Sequence, residues 1–164
     1  MNVTVNLTGI DERLLLNFFC AFSRFECALK RAGFAKGDEH RVDPDWGCFG
    51  KTLLAHSSEE LAPVFKFGQY LIEKPPQKQT LTKGRLGWTD TADGSVSEIE
   101  RLLLSVRRVR NNLFHGGKYP EPVGPVPDAA RNTELLHCCI DVLAAVLDLP
   151  GARRVKNEFV DADV

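Results

Sequence analysis

Residues 95–115 repeat apolar side chains at the spacing of an α-helix, and this pattern constrains the fold more than any other feature of the chain. Its apolar positions are Ile99, Leu102, Leu103, Val106, Val109 and Leu113. They form one stripe along a helix. Ser95 and Glu98 match a capping box, and Gly116 predicts the end of the helix. Such a stripe has to be buried against other elements of structure, so the chain must supply partners for this helix.

Three further segments carry a comparable helical pattern. Together with the first, they predict helices over 11–32, 58–73, 95–115 and 128–149. Pro63 predicts a break or restart inside the second of these, because proline removes a backbone donor from a helix. Turn-forming residues dominate the segments between the helices. Long connections without strands are therefore predicted over 34–50, 75–94 and 116–127.

The sequence thus predicts an all-α fold, a bundle of four or five helices with long connecting loops. The expected organisation is an N-terminal segment 1–10, one helical domain 11–149 and a C-terminal tail 150–164 that frays. A length of 164 residues with 43% apolar residues suits one domain with a real core. No apolar run reaches the roughly 20 residues that span a membrane, and residues 1–10 do not resemble a secretory signal. We expect a cytoplasmic protein with no membrane association.

The cysteines argue against a disulfide framework and against a metal site. They are Cys20, Cys27, Cys48, Cys138 and Cys139. Their odd number and their positions, mostly within apolar helical patterns, predict reduced and buried thiols. His137 precedes two of them, but no second pair of ligands has the spacing of a zinc site. No metal and no cofactor are expected.

The formal net charge of −1 gives the whole protein no general attraction for nucleic acid. Positive charge is concentrated locally, however. Residues 101–118 contain five basic side chains and no acidic one, and residues 74–85 contain four basic side chains and no acidic one. A patch of this kind binds phosphate even on a neutral protein, although arginines also favour the last turns of a helix for its dipole alone.

Arg110 and His115 form the most informative pair of side chains. Arginine keeps its charge in proteins and binds phosphate with a planar fork, and histidine exchanges a proton near neutral pH. The two groups are chemically sufficient to attack an RNA phosphodiester without a metal. The same two residues are also compatible with a plain helical interaction domain, in which they are ordinary residues at the end of a helix and have no catalytic role.

Helix geometry gives these residues different neighbours. At about 100° per residue, Arg110 lies near the middle of the apolar stripe, and Glu26 lies among apolar positions of the first helix. A charge on a core-facing stripe is costly unless it is paired. We therefore expect Glu26 and Arg110 to meet, directly or near a dimer seam, to orient a catalytic arginine or to set helix register. Arg108 is better aligned with His115 than Arg110 is, so the geometry leaves the working arginine open.

Arg110-Asn-Asn-Leu-Phe-His115 resembles the signature of HEPN-domain proteins. That signature is an arginine, four to six intervening residues and a histidine, with a polar residue often following the arginine; Asn111 stands at that position. Glu26-Cys-Ala-Leu-Lys30-Arg31 resembles a Glu-x-x-x-Lys-Arg element on the first helix of some HEPN families. The HEPN fold is an all-α bundle with the motif near the end of its third main helix, and the resemblance covers about residues 11–149.

The resemblance implies a metal-independent endoribonuclease that acts as a homodimer, with the motifs of two chains facing each other in a cleft. It implies that His115 is the general base or acid, that Arg110 stabilises charge on the phosphate, and that Asn111 holds the site by hydrogen bonding. Supporting or RNA-binding roles would belong to Glu26, Lys30, Arg31, Arg107, Arg108 and Lys118. The implied partners are RNA, a second copy of the chain, and an antitoxin or another component of a defence system.

The chain departs from one HEPN subgroup. Toxins paired with a nucleotidyltransferase antitoxin often carry a tyrosine two residues after the histidine, where this chain has Gly117. Control by modification of that tyrosine is therefore not expected. Some HEPN proteins have lost activity, so a noncatalytic module that binds a partner protein or a nucleotide is the alternative to a ribonuclease.

Overall fold

Helices make up most of the protein. The structure, a computed structural model, describes residues 9–90, 94, 96–114 and 128–161. The helices are α1 (Glu12–Arg31), α2 (Trp46–Leu53), α3 (Ser58–Glu73), α4 (Glu98–Phe114), α5 (Ala129–Leu147) and α6 (Arg153–Val160). The strands are β1 (Ala35–Gly37), β2 (Val42–Pro44), β3 (Lys78–Thr82) and β4 (Arg85–Thr89). The predicted helical class is confirmed, with all four predicted long helices present, but the chain is not purely α-helical.

Two antiparallel hairpins correct the prediction of loops without strands. The first pairs β1 with β2, and the second pairs β3 with β4 in the register Lys78 opposite Thr89 and Thr82 opposite Arg85. The tight turn of the second hairpin has positive φ at both Lys83 and Gly84. Glycine accepts this conformation readily, whereas lysine adopts it rarely, so the usual sequence signal of a two-residue turn is weak here.

The ends of the long helices are capped by side chains. Asp11 accepts a hydrogen bond from the backbone N–H of Leu14 at 2.8 Å, and Asp128 caps α5 in the same way. The capping box of α4 lies two residues later than predicted. Ser97 N donates to Glu100 Oε2 at 3.1 Å, and Glu100 N donates to Ser97 Oγ at 3.3 Å. Hydrogen bonds from the Ser97 side chain and backbone lower the pKa of Glu100, while Ser95 lies outside the described residues.

Helix α3 is continuous from Ser58 to Glu73, so the predicted break at Pro63 is wrong. Ser57 and Glu60 form a full capping box at its start. Pro63 is only the sixth residue of the helix, so the one hydrogen bond that it removes would have ended at the carbonyl of Glu59. Both Glu59 and Pro63 are exposed, and water can take the place of the missing donor.

The C-terminal segment 150–164 is not a fraying tail over its first part. Pro150–Ala152 forms a 3₁₀ turn and α6 follows it directly. Helix α6 packs against α1, where the Arg24 guanidinium donates to the carbonyl oxygens of Phe159 and Val160 and lies over the Phe159 ring at 5.0 Å. At the other end of this segment, Gly151 N donates to His56 Nε2 at 3.0 Å. These contacts were not predicted because they join residues far apart in sequence.

The core lies between α5 and its neighbours. Helix α5 packs against α1 and α3, and α4 packs against α2, α3 and α5. The predicted stripe of α4 is buried, since Ile99, Leu102, Leu103, Val106 and Val109 are each exposed by 3% or less. Over the described ranges no single helix combines the length and the apolar composition needed to cross a membrane; α5 meets that criterion together with 150–160, as a pair bent by 88°.

Gly68 of α3 lies close to Leu102 of α4. A Cβ added at Gly68 would lie 2.6 Å from Cδ2 of Leu102, which is buried. We therefore expect Gly68→Ala to lower the free energy of unfolding by about 1–3 kcal/mol, the usual cost of overpacking. Chemical denaturation measures this change. Gly47→Ala is the matched control, because its added methyl would have only Asp45 Oδ1 nearby, at 3.6 Å, and equal destabilisation by both variants would contradict the close approach.

The cysteines divide into exposed and buried groups. Cys138 and Cys139 are buried as predicted, whereas Cys20 and Cys48 are exposed and Cys27 is half-buried, so the prediction of buried thiols is wrong for Cys20 and Cys48. Burial raises the pKa of Cys138, and it raises the pKa of Cys139 well above the usual thiol value. Since the thiolate is the reactive form, we expect Cys20 and Cys48 to react with a thiol reagent in the folded protein, and Cys138 and Cys139 only after denaturation. The thiol reaction that occurs before denaturation should be lost in a Cys20→Ser, Cys48→Ser double variant.

Candidate functional site

The end of α4 holds the arginine of the candidate motif. Arg110 is half-buried, and its Nη1 donates to Asn111 Oδ1 at 3.1 Å. The polar residue that follows the arginine therefore contacts the guanidinium directly. His115 and Lys118, the other predicted residues of this region, lie outside the described residues, as does the segment 116–127.

An aromatic stack holds the arginines of α4 in place. The Arg110 guanidinium lies over the Phe22 ring at 5.6 Å, and that of Arg107 lies over Trp46 at 6.0 Å. Trp46 itself stacks on Phe22 and on Phe25, with ring centroids 5.6 and 5.1 Å apart. Each cation–π contact contributes about 0.5–1 kcal/mol when exposed and more when desolvated. Two arginines of α4 are thus held on a surface that α1 and α2 supply together.

Glu26 contacts the same aromatic stack through the neutral indole N–H of Trp46. Its Oε1 accepts a hydrogen bond from the indole Nε1 of Trp46 at 3.0 Å. Among the ion pairs between described residues, none joins Glu26 to Arg110, so an indole N–H takes the place of the predicted direct pair. Both charged residues nevertheless lie at one aromatic cluster, Glu26 through Trp46 and Arg110 through Phe22.

The basic residues at the end of α1 have a different setting. Arg31 Nε lies 2.8 Å from Glu158 Oε2 of α6, a contact that fixes the end of α1 to the C-terminal helix. Lys30 is half-buried in the last turn of α1. Within the described ranges no hydrogen bond or ion pair joins either side chain to the arginines or Asn111 of α4. The structure therefore brings Glu26 to the Arg107 and Arg110 cluster, but it gives no such contact for Lys30 or Arg31.

A cavity of about 400 Å³ lies between α4 and strand β3. Its lining residues are Lys78, Gln79, Leu104, Arg107, Arg108, Asn111 and Asn112. Three predicted residues, Arg107, Arg108 and Asn111, thus line one cavity, whereas Arg110 faces the aromatic stack. Arg107 and Asn111 belong to both surroundings. Arg107 lines the cavity and lies over Trp46, and Asn111 lines the cavity and accepts a hydrogen bond from Arg110.

The charge of this cavity is uniformly positive. Its lining contains three cations and no carboxylate. Among described residues, no carboxylate lies within ion-pair distance of Lys78 or Arg107, so their charges are not neutralised locally. Cations gathered in one cavity repel each other, and an anion that enters relieves this repulsion. The arrangement can therefore bind phosphate or another oxyanion.

Two residues of this region were not predicted. Asn112 is 8% exposed, and its Nδ2 donates to the carbonyl oxygen of Gln77 at 2.9 Å, which fastens the start of β3 to α4. Its position three residues after Val109, on the buried side of α4, was the available signal, since a polar group there needs a partner. The sequence predicts a loop at Trp46, whereas Trp46 begins α2 and stacks on Phe22 and Phe25. Its local sequence carries no signal for these contacts.

Comparison of the chain with protein-family models, with curated proteins and with solved structures gave no match. In the part of the chain that the structure describes, no three His, Cys, Asp or Glu side chains are grouped as metal ligands. The region combines a guanidinium held by Asn111 and Phe22 with an adjacent basic cavity.

Proposed function

We propose that the protein is a metal-independent endoribonuclease of the HEPN type, which cleaves RNA at a composite site formed by two copies of the chain. The observation that carries this proposal is the contact of Arg110 with Asn111 on the last turns of α4. It joins the two polar residues that open the candidate motif, and His115 follows Asn111 by four residues in the sequence. A guanidinium already held by a side-chain amide and an aromatic ring loses little further freedom when it binds a phosphate.

The proposed reaction needs only proton transfer and charge stabilisation. His115 removes the proton from an RNA 2′-hydroxyl, whose oxygen then attacks the adjacent phosphorus. The bond from phosphorus to the 5′-oxygen breaks, and that oxygen receives a proton from an imidazolium or from water. Arg110 stabilises the added negative charge on the phosphate, and Asn111 orients the guanidinium. The products are a 2′,3′-cyclic phosphate and a 5′-hydroxyl.

The proposed biological role follows from the same resemblance. An enzyme that cuts RNA without a cofactor suits a toxin or an effector against phage, and an antitoxin or another defence component would then restrain or activate it. The cavity lined by Arg107, Arg108 and Lys78 supports the substrate class, because it offers concentrated positive charge beside the motif.

The test is cleavage of a defined single-stranded RNA by the purified protein in the presence of EDTA. We expect fragments that end in a 2′,3′-cyclic phosphate, at a rate that EDTA leaves unchanged. Analysis of the fragment ends separates this activity from hydrolysis that leaves a 3′-hydroxyl. An absence of cleavage by folded and dimeric protein, or loss of cleavage with EDTA, would count against the proposal.

A second candidate is a noncatalytic HEPN module that binds a partner protein or a nucleotide. The position of the Arg110 guanidinium over the Phe22 ring favours this candidate, because a cation–π contact also stabilises a fold that has no catalytic role. One variant distinguishes the two candidate functions. A noncatalytic module keeps its biological effect in a folded His115→Ala protein, whereas a ribonuclease loses it.

A further inference from the structure

The cavity beside α4 is built from two elements that are fixed to each other. Asn112 fastens the start of β3 to α4 through its hydrogen bond to Gln77. Arg131 of α5 holds the preceding residues, since its Nη2 lies 3.3 Å from the carbonyl oxygen of Lys74 and 3.2 Å from that of Pro75. The side chain of Gln77 donates to Asp90 Oδ1 at 3.0 Å and thereby closes the base of the hairpin. These bonds anchor the residues that lead into β3, and Asn112 also lines the cavity, so the strand that forms one wall is tied to the helical bundle.

The hairpin extends this cavity with a chemically mixed face. Gln79 lines the cavity and lies opposite Trp88 in the β3–β4 register, so the two side chains share one face of the hairpin. Trp88 is half-buried. Further along the same face, Leu81 and Leu86 lie opposite each other and are 70% and 56% exposed. Lys78, the neighbour of Gln79 in β3, projects from the opposite face, so the cavity meets the hairpin at the edge of β3, and the indole ring of Trp88 lies on the Gln79 side of that edge.

We propose that α4 and the β3–β4 hairpin form a groove that holds single-stranded RNA beside the cleavage site. Lys78 and Arg107 would bind backbone phosphates, and Trp88 would stack with a base. This combination of a basic groove and an aromatic platform is how proteins hold single strands without reading their sequence. The inference rests on the proposed function for its substrate, but it concerns residues outside the Arg110–His115 motif and can be tested separately.

The first test measures binding alone, with a single-stranded 2′-O-methyl RNA that cannot undergo attack by its 2′-oxygen. Each phosphate contact to a single strand contributes about 0.7 to the slope of log K against log salt concentration. We expect Lys78→Gln to lower the magnitude of this slope by about 0.7. Lys66→Gln is the matched control, because Lys66 is an exposed lysine that lines a different groove between α3 and α5, and its slope should equal that of the wild type.

The second test addresses the aromatic platform. Stacking on an aromatic side chain contributes about 1–3 kcal/mol per base, so Trp88→Leu should weaken binding of the same RNA about 5- to 150-fold. Trp88→Phe keeps a ring at this position and should retain most of the affinity. Equal weakening by both variants would overturn the stacking role, as it would indicate a general disturbance of the hairpin.

Failure of the groove and failure of the ribonuclease proposal give different results. Cleavage of RNA with unchanged salt slope and unchanged KM in Lys78→Gln would overturn the groove and leave the enzyme intact. Binding of 2′-O-methyl RNA with the expected slope changes, but without cleavage of unmodified RNA, would support the groove and overturn the enzyme. An absence of binding by wild-type protein at low salt would overturn the groove whatever the activity.

Discussion

Replacement of His115 by alanine is expected to slow RNA cleavage by about two to four orders of magnitude, the usual contribution of a positioned general acid or base. The 2′-hydroxyl is a poor nucleophile until its proton is removed, and an imidazole exchanges protons near neutral pH. Under the proposed function no metal is available to lower the pKa of the hydroxyl instead. The loss should therefore appear in the rate constant of the chemical step and leave the affinity for RNA nearly unchanged.

Single-turnover cleavage of a defined RNA, with EDTA present, measures this rate constant directly. His137→Ala is the matched control, because it makes the same change at an exposed histidine of α5, and it should cleave at the wild-type rate. Circular dichroism and the dimerisation constant verify that each variant is folded and assembled. If folded His115→Ala cleaved as fast as the control, His115 would have no catalytic role.

The long helices could be predicted from the sequence because their signals are local. Each combines an apolar stripe with a capping residue, and α1, α3, α4 and α5 all begin within about three residues of their predicted starts. The error at Ser95 shows the limit of such signals. Residues 95–100 contain Ser-x-x-Glu at two overlapping positions, and the hydrogen bonds of the folded protein identify Ser97 and Glu100 as the pair that forms the box.

The shorter elements could not be predicted, since their stability comes from distant residues. Helix α2 has only eight residues, fewer than an isolated helix needs in water, and it depends on Trp46 packing against α1. Helix α6 is equally short and is held by Arg24 of α1. The β3–β4 hairpin is fastened to α4 by the hydrogen bond from Asn112 to Gln77, which joins residues 35 positions apart.

The candidate site also contains contacts that the sequence predicts and contacts that it does not. The contact of Arg110 with Asn111 joins neighbours in the sequence and was predictable from the motif. The setting of Glu26 was only partly predictable, because helix geometry places it among apolar neighbours but does not reveal that an indole N–H satisfies its carboxylate. The cavity against β3 required the fold, as its walls come from two segments whose basic residues are separate in the sequence.

Substitution of Arg110 by lysine is expected to lower the cleavage rate about 10²- to 10³-fold, as removal of one donor to a developing oxyanion does. Lysine keeps the positive charge but lacks the planar fork, so it cannot bind a phosphate oxygen and Asn111 Oδ1 with the same geometry. It also loses the stacking of a guanidinium on Phe22. A charge at this position without the correct orientation should therefore be a poor substitute.

Arg108→Lys is the decisive comparison, because helix geometry alone leaves both arginines available to His115. Arg108 lines the cavity against β3 beside Arg107 and Lys78, where its charge can assist binding and where a lysine can hold a phosphate nearly as well. We expect Arg108→Lys to raise KM by less than about tenfold and to leave the rate constant of cleavage within about twofold. The reverse result, with a loss of rate in Arg108→Lys and normal cleavage in Arg110→Lys, would assign catalysis to Arg108. Arg110 would then have a structural role on the aromatic stack, and the reacting phosphate would lie in the cavity between α4 and β3.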